Sequence, residues 1–146
     1  MSVGRICIRD VDLAEPTENV WKAAERMHQR CVGTLVVTDE WNKPAGIVTD
    51  RDLVERVLAE GRDAQTTLVQ DVMTPSPQTI AEDEPIEEAL SRMRNGRFRR
   101  LAVVDTEGKL VGLVSLDDVL MLLAEEFLEI GKLLERETPR GVAERV

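Results

Sequence analysis

Aromatic side chains are scarce in this sequence. Two tryptophans, two phenylalanines and no tyrosine make up 3% of 146 residues, so aliphatic residues must fill any core. Cysteine is scarcer still: Cys7 and Cys31 are too few for a disulfide framework. With no apolar signal segment at the N-terminus, reduced thiols in the cytoplasm are the expectation. His28 is the only histidine and has no Cys-x-x-Cys or second histidine beside it. That argues against a zinc set and against a base poised on a serine or cysteine, so neither an enzyme nor a resident metal or cofactor is expected. Positive charge is short as well. Nineteen Lys and Arg against 28 Asp and Glu leave a net charge of −9, which counts against a nucleic-acid partner. No apolar run is long enough to span a bilayer. A packed soluble protein remains: 42% of residues are hydrophobic, mean hydropathy is −0.21, and a chain this long buries about 68–70% of its unfolded surface.

What the chain does have is repetition. Gly46-Ile47-Val48-Thr49-Asp50-Arg51-Asp52 returns as Gly112-Leu113-Val114-Ser115-Leu116-Asp117-Asp118, an offset of 66 from Gly46 to Gly112. At that offset, without a gap, Glu18 meets Glu84, Ala23 meets Ala89, Arg26 meets Arg92 and Met27 meets Met93. Further on, Leu35 meets Leu101, Val37 meets Val103, Asp39 meets Asp105, Lys43 meets Lys109 and Val48 meets Val114. Identities this dense in one register indicate an internal duplication. Two copies also answer a physical need, because each half is too small to hide its own apolar face.

Residues 1–10 read as a lead-in strand, with Ile6 and Ile8 two apart. Residues 11–60 form the first repeat, 61–76 a linker and second lead-in, 77–125 the second repeat, and 126–146 a helical extension and tail. In the first repeat Val11–Ala14 is extended. Thr17 is the candidate N-cap of a helix with Val20, Ala23, Ala24 and Met27 at helical spacing, stopping near Cys31. Thr34–Thr38 and Ala45–Thr49 are β-branched runs on either side of turn residues and pair as a hairpin. A helix follows from Asp50 to Glu60, with Leu53, Val54, Val57 and Leu58 inward and Gly61 at its end. The second copy has Gln78–Ala81 extended, Asp83 as candidate N-cap, a helix through Ile86, Ala89, Leu90 and Met93 to Asn95-Gly96, and a hairpin of Arg100–Asp105 with Leu110–Ser115. The fold class is therefore α+β, with tandem β-α-β-β-α repeats. The last helix is longer than its counterpart. Leu116, Leu120, Leu123, Phe127, Ile130 and Leu134 are spaced 4-3-4-3-4, a heptad-like seam that serves either the helix's own domain or another subunit. Gly131 weakens that helix by roughly 1 kcal/mol, and fraying is expected from Glu137 onward.

The duplicated Thr49/Asp52 and Ser115/Asp118 stretch is the candidate site. A hydroxyl followed at three by an acid makes a capping box-like helix start. The same residues suit a nucleotide. A helix N-terminus offers unpaired N–H groups to phosphate, the hydroxyl adds a donor, and the carboxylate accepts from ribose hydroxyls. An adenine ring needs an apolar slot, for which Leu13, Ile47, Ile80 and Leu113 are candidates, with sheet core as their other reading. Trp41 sits in a polar turn, where it covers a hairpin edge or meets a partner.

"GIVTDRDL" with "GLVSLDDV", the hairpins "TLVVTDEWNKPAGIVT" and "RRLAVVDTEGKLVGLVS", and "VQDVMTPSP" between them resemble a cystathionine-β-synthase (CBS) domain pair over roughly residues 5–125. The resemblance implies repeats packed sheet to sheet about a pseudo-two-fold axis, and two such pairs forming a flat homodimer. It implies an adenosine-containing ligand in clefts between the repeats (AMP, ADP or ATP, with NAD or S-adenosylmethionine as other candidates), and regulation of a separate protein rather than catalysis. It also implies that basic residues just before the hairpin face phosphates. Arg97, Arg99 and Arg100 surround Phe98 there, whereas the first repeat has Gly33 and Thr34 in place of Arg99 and Arg100. The clefts should then differ, with Ser115, Asp118, Arg99 and Arg100 holding phosphate-bearing ligand more tightly. The alternative is a dimerisation or docking protein with empty clefts, its C-terminal helix forming the interface.

Overall fold

The computed structural model describes residues 1–96 and 98–137; Arg97 and the tail beyond residue 137 lie outside them. Two hairpins form the frame. β2 (Thr34–Thr38) and β3 (Pro44–Thr49) pair with Leu35 opposite Val48 and Val36 opposite Ile47. β6 (Arg100–Val104) and β7 (Leu110–Ser115) pair in the equivalent register, Leu101 opposite Val114 and Ala102 opposite Leu113. An aspartate shapes each turn. Asp39 accepts from the backbone N–H groups of Trp41 and Lys43, and Asp105 from those of Glu107 and Lys109, an Asx-type turn. β1 (Leu13–Ala14) lies parallel to β2, and β5 (Thr79–Ala81) parallel to β6. β4 (Thr74–Pro75) closes the first sheet in the order β1-β2-β3-β4; the second runs β5-β6-β7.

Strand alternation sorts the side chains. Leu35, Val37 and Val48 face one core with Ala23 and Met27, while Leu101, Val103 and Val114 face another with Ala89 and Met93. Val36 and Ala102, on the opposite faces, are also fully buried, so both faces of each sheet are covered. α2 (Val20–Arg30) turns Val20, Ala23 and Met27 inward. Its N-cap is Asn19 rather than Thr17: the Asn19 side chain accepts from Lys22 N at 2.9 Å, and Thr17 lies in the preceding turn, closed by Glu18 N donating to Glu15 O. Cys31 ends α2 in the left-handed region at φ 55° and is exposed. α5 (Ile86–Gly96) begins directly after Pro85, leaving Asp83 in the turn before it.

α3 (Asp50–Leu53) runs into a π-helical turn over Val54–Leu58, where Ala59 N reaches Val54 O. That wider turn shifts the inward phase. Val57 stays buried, but Val54 and Leu58 are 55% and 72% exposed, contrary to an inward stripe of four. α6 (Leu116–Glu137) is continuous through Gly131. Val119 is buried, yet Leu120, Met121, Leu123, Phe127, Leu128, Ile130, Leu133 and Leu134 are 44 to 73% exposed. Beyond Leu116, which packs on the second core, the seam therefore does not lie on its own domain. Among the described residues no helix is long and apolar enough to cross a membrane.

The N-terminal segment departs most from expectation. Instead of a strand, α1 (Val3–Ile6) is one helical turn, and only Ile8 bridges to the sheet, at Leu113. Val3 and Ile6, three apart, share an inner face. Its counterpart at the offset of 66 is α4 (Val69–Val72), and the two make matching bonds: Val3 N to Glu84 O, Val69 N to Glu18 O. Val3 enters the core of Ile80 and Leu101, whereas Val69 and Val72 enter that of Leu35 and Val57. Each lead-in thus packs on the repeat it does not precede, which is what a pseudo-two-fold arrangement requires.

Glu18 braces the crossing of α4, whose Val69 N donates to its carbonyl. Its carboxylate accepts two bonds of 2.7 Å from Arg26 and one from Glu15 N, and the Arg26 bonds hold its pKa below the usual glutamate range. The folded-state value is the lower one, so the pair contributes fully above the unfolded pKa, roughly 4.3, and its contribution is lost as pH falls through the depressed value. Glu18→Gln is expected to cost about 1 kcal/mol at pH 7 and to flatten the acid limb of stability below pH ~4. Urea melts of both proteins from pH 3 to 7 check this; parallel acid limbs would refute it.

Two clefts as the candidate functional site

The period of two that buries Val48 and Val114 turns Ile47 with Thr49, and Leu113 with Ser115, to the opposite faces, where two clefts open. One, of about 380 Å3, is lined by Ile47, Thr49, Thr74, Ser76, Pro77, Gln78, Phe98, Arg99 and Arg100. The other, of about 250 Å3, is lined by Ile8, Asp10, Val11, Asp12, Val32, Gly33, Thr34, Leu113, Ser115 and Asp118, with Arg100 at its edge. Apart from Arg100, shared by both, and Asp118, whose counterpart Asp52 does not line the first cleft, the linings correspond at the offset of 66: Thr74 to Ile8, Ser76 to Asp10, Gln78 to Asp12, Phe98 to Val32, Arg99 to Gly33. Each cleft joins the strand-to-helix junction of one repeat to the lead-in and strand start that approach from the other.

At each junction the hydroxyl and the acid form a reciprocal cap. Thr49 N donates to Asp52 Oδ2 at 2.8 Å and Asp52 N to Thr49 Oγ1 at 3.2 Å. Ser115 N donates to Asp118 Oδ2 at 2.8 Å and Asp118 N to Ser115 Oγ at 3.2 Å. The capping reading is therefore correct for both pairs, and it occupies one carboxylate oxygen of each. Asp52 Oδ1 is 3.8 Å from Arg56 Nε. Asp118 lines its cleft; Asp52 is not among the residues lining the other.

Arg99, Ile80 and Leu13 sit elsewhere than anticipated. Arg99 lines the Thr49 cleft and not the cleft of Ser115 and Asp118. With Arg100 and Ser115 it also lines a smaller pocket of about 150 Å3, where its Nη2 is 3.4 Å from Asp117 Oδ1. Arg100, opposite Ser115 in the β6–β7 ladder, borders both clefts. Of the four residues expected to share one phosphate site, Ser115, Asp118 and Arg100 line one cleft, whereas Arg99, just before β6, lines the other. Ile80 is 1% exposed in the second core and unavailable to a ligand. Leu13 is 40% exposed on β1 and lines neither cleft. The residues overlooked belong to the crossing lead-ins, Ser76 and Gln78 on one side and Asp10 and Asp12 on the other. Carrying the offset back to Val3/Val69 and Ile6/Val72 would have marked these segments as equivalent.

Comparison with known proteins agrees with this architecture. The profile of the CBS domain matches twice, over residues 3–59 and 69–125. An uncharacterized protein of Methanopyrus kandleri is 36% identical over 122 residues, covering 84% of this chain and 62% of that one. A 17.7 kDa protein of Acidianus ambivalens is 33% identical over 141 residues, covering 96% and 84%. The chain therefore spans about three fifths of the length of the first relative. Among solved structures, the CBS domain pair of protein MJ0100, in complex with 5′-methylthioadenosine and S-adenosyl-L-methionine, superposes with a TM-score of 0.75 at 25% identity, covering 84% of this chain and 99% of that one. A CBS domain protein of Pyrobaculum aerophilum complexed with AMP gives a TM-score of 0.74 at 24% identity, covering 86% and 99%. Duplication, exchanged lead-ins and paired clefts together with these matches place the chain in the CBS domain family, as a tandem pair of CBS domains.

Proposed function

We propose that the protein is a regulatory module that binds an adenosine-containing ligand in the cleft bordered by Thr49 and Arg99. AMP, ADP and ATP are the foremost candidates, with NAD and S-adenosylmethionine in the same class. The observation that carries this is the lining itself. Apolar Ile47 and Phe98, the Thr49 hydroxyl and two exposed guanidinium groups, Arg99 and Arg100, share about 380 Å3, the size and mixture of a small-molecule site. A purine suits the apolar wall, and the arginine forks suit phosphate oxygens. The adenosyl ligands held by the MJ0100 pair support the same chemistry. Because Thr49 belongs to the first repeat and both arginines to the second, a bound ligand would favour one packing of the two halves through its differential affinity. That is regulation without turnover. A thermal-shift screen with AMP, ADP, ATP, NAD and S-adenosylmethionine tests it. A true ligand at a hundredfold excess over Kd adds about 2.7 kcal/mol; five flat responses, with no heat in calorimetry, would end the proposal.

A docking role is favoured by a separate observation, the exposed apolar face of α6. A 4-3-4-3-4 seam on a solvent-facing helix suits a second copy of itself, which meets it isologously in a homodimer. The full chain is expected to run as a dimer in size-exclusion chromatography, and a chain ending at Ala124 to shift toward monomer. An unchanged oligomeric state would remove the distal half of α6 from any interface.

A further inference from the structure

We propose that the cleft at Ser115 and Asp118 takes a nucleoside carrying no phosphate, with a neutral or cationic 5′ substituent; this rests on the adenosine-ligand reading above. Its floor repeats that of the first cleft, with Leu113 for Ile47, Ser115 for Thr49 and Val32 for Phe98, so base and sugar meet similar surfaces. The rim is reversed in charge. Gly33 stands where the first cleft has Arg99, Asp10 where it has Ser76, and Asp12 where it has Gln78. Arg30 serves both aspartates, at 2.8 Å from Asp12 and 3.2 Å from Asp10, one cation for two carboxylates. Asp118 commits Oδ2 to Ser115 N, and among the described residues its Oδ1 has no hydrogen-bond partner, leaving an acceptor for a sugar hydroxyl. Asp117 and Asp118 in the first turn of α6 offset the positive end of that helix. Among the described residues Arg100 is the one cation in the lining, and it is shared with the first cleft. A phosphate placed here would face three carboxylates, whereas a 5′ sulfonium or amine would be attracted by them.

Calorimetry on the full chain tests this. AMP is expected to saturate at one per chain, after which adenosine or S-adenosylmethionine binds once more per chain without displacing it. Asp10→Ser with Gly33→Arg copies Ser76 and Arg99 into the second cleft and leaves the Asp12–Arg30 pair in place. The three atoms nearest a Cβ on Gly33 all belong to the Asp50 carboxylate, at 2.9 to 3.4 Å; as the end of an exposed side chain it can swing aside. This variant is expected to bind two AMP per chain and to lose S-adenosylmethionine about tenfold. Asp10→Ser alone, which adds no bulk, is expected to weaken S-adenosylmethionine about threefold. Two AMP per parent chain, or an AMP-saturated protein that takes neither adenosine nor S-adenosylmethionine, would overturn the inference while leaving the first cleft's role intact. Failure of all three probes on every form would instead sink the ligand-binding reading itself.

Discussion

Gly112→Val is expected to lower stability by about 3 kcal/mol, the upper end for overpacking, or about 10 °C in Tm for a chain of this size. A Cβ on Gly112 would stand 2.7 Å from Cys7 Sγ and 2.9 Å from the Ile8 carbonyl oxygen. The backbone there has little freedom to move aside, because Ile8 and Leu113 exchange two hydrogen bonds of 2.9 Å. The N-terminal lead-in would have to lift off β7, withdrawing Val3 from the second core. Gly46, the pseudo-symmetric position, lies against the Met73 side chain, with the Thr74 carbonyl oxygen at 3.1 Å from its built Cβ. Methionine repacks easily, so Gly46→Val should cost less than Gly112→Val. Thermal or urea melts of the two variants give the ranking. Thiol labelling gives a second readout: burial raises the pKa of Cys7 and slows its reaction, and lifting the lead-in should bring its rate toward that of exposed Cys31. A Gly112→Val protein that melts with the parent and keeps Cys7 protected would show that the crossing is not tightly packed.

Arg99→Ala with Arg100→Ala is expected to weaken AMP about a hundredfold. Each guanidinium offers charge-assisted hydrogen bonds to phosphate, worth about 1.5 kcal/mol at the low end of the range, chosen because both side chains are exposed. That is roughly tenfold per arginine. The fold should tolerate the change. The strand contacts are made by backbone, with Leu116 N donating to the Arg99 carbonyl, and the Arg99–Asp117 pair is long and exposed, of little weight for stability. Adenosine, which has no phosphate, should lose far less affinity than AMP. Equal losses for AMP and adenosine would mean that the arginines shape the cleft rather than hold the phosphate, and unchanged AMP affinity would place the nucleotide elsewhere.

Much of this protein is readable along the chain because the relevant physics is local. The duplication, the two hairpins and the reciprocal caps at Thr49/Asp52 and Ser115/Asp118 depend on residues a few positions apart, and all were found where the pattern put them. The same reading went wrong where the helix winding changes or a distant segment decides. Val54 and Leu58 are apolar at helical spacing, but a π-helical turn rotates them outward. Ile80 is apolar beside a cleft, but β5 points it into the core. Ile6 and Ile8 alternate like a strand, but bonds from Val3 and Gly4 to the Glu84 and Glu82 carbonyls hold the segment as a helical turn.

The amino-acid order alone determined a doubled α+β unit with aliphatic cores and two equivalent strand-to-helix junctions, since side-chain period and capping need no partner further than one turn away. Only the tertiary structure decided which residues meet across each cleft. Lead-ins exchanged between halves bring Ser76 to the cleft of Thr49 and Asp10 to that of Asp118, and no sequence spacing encodes a contact between segments that reach each other by crossing an interface.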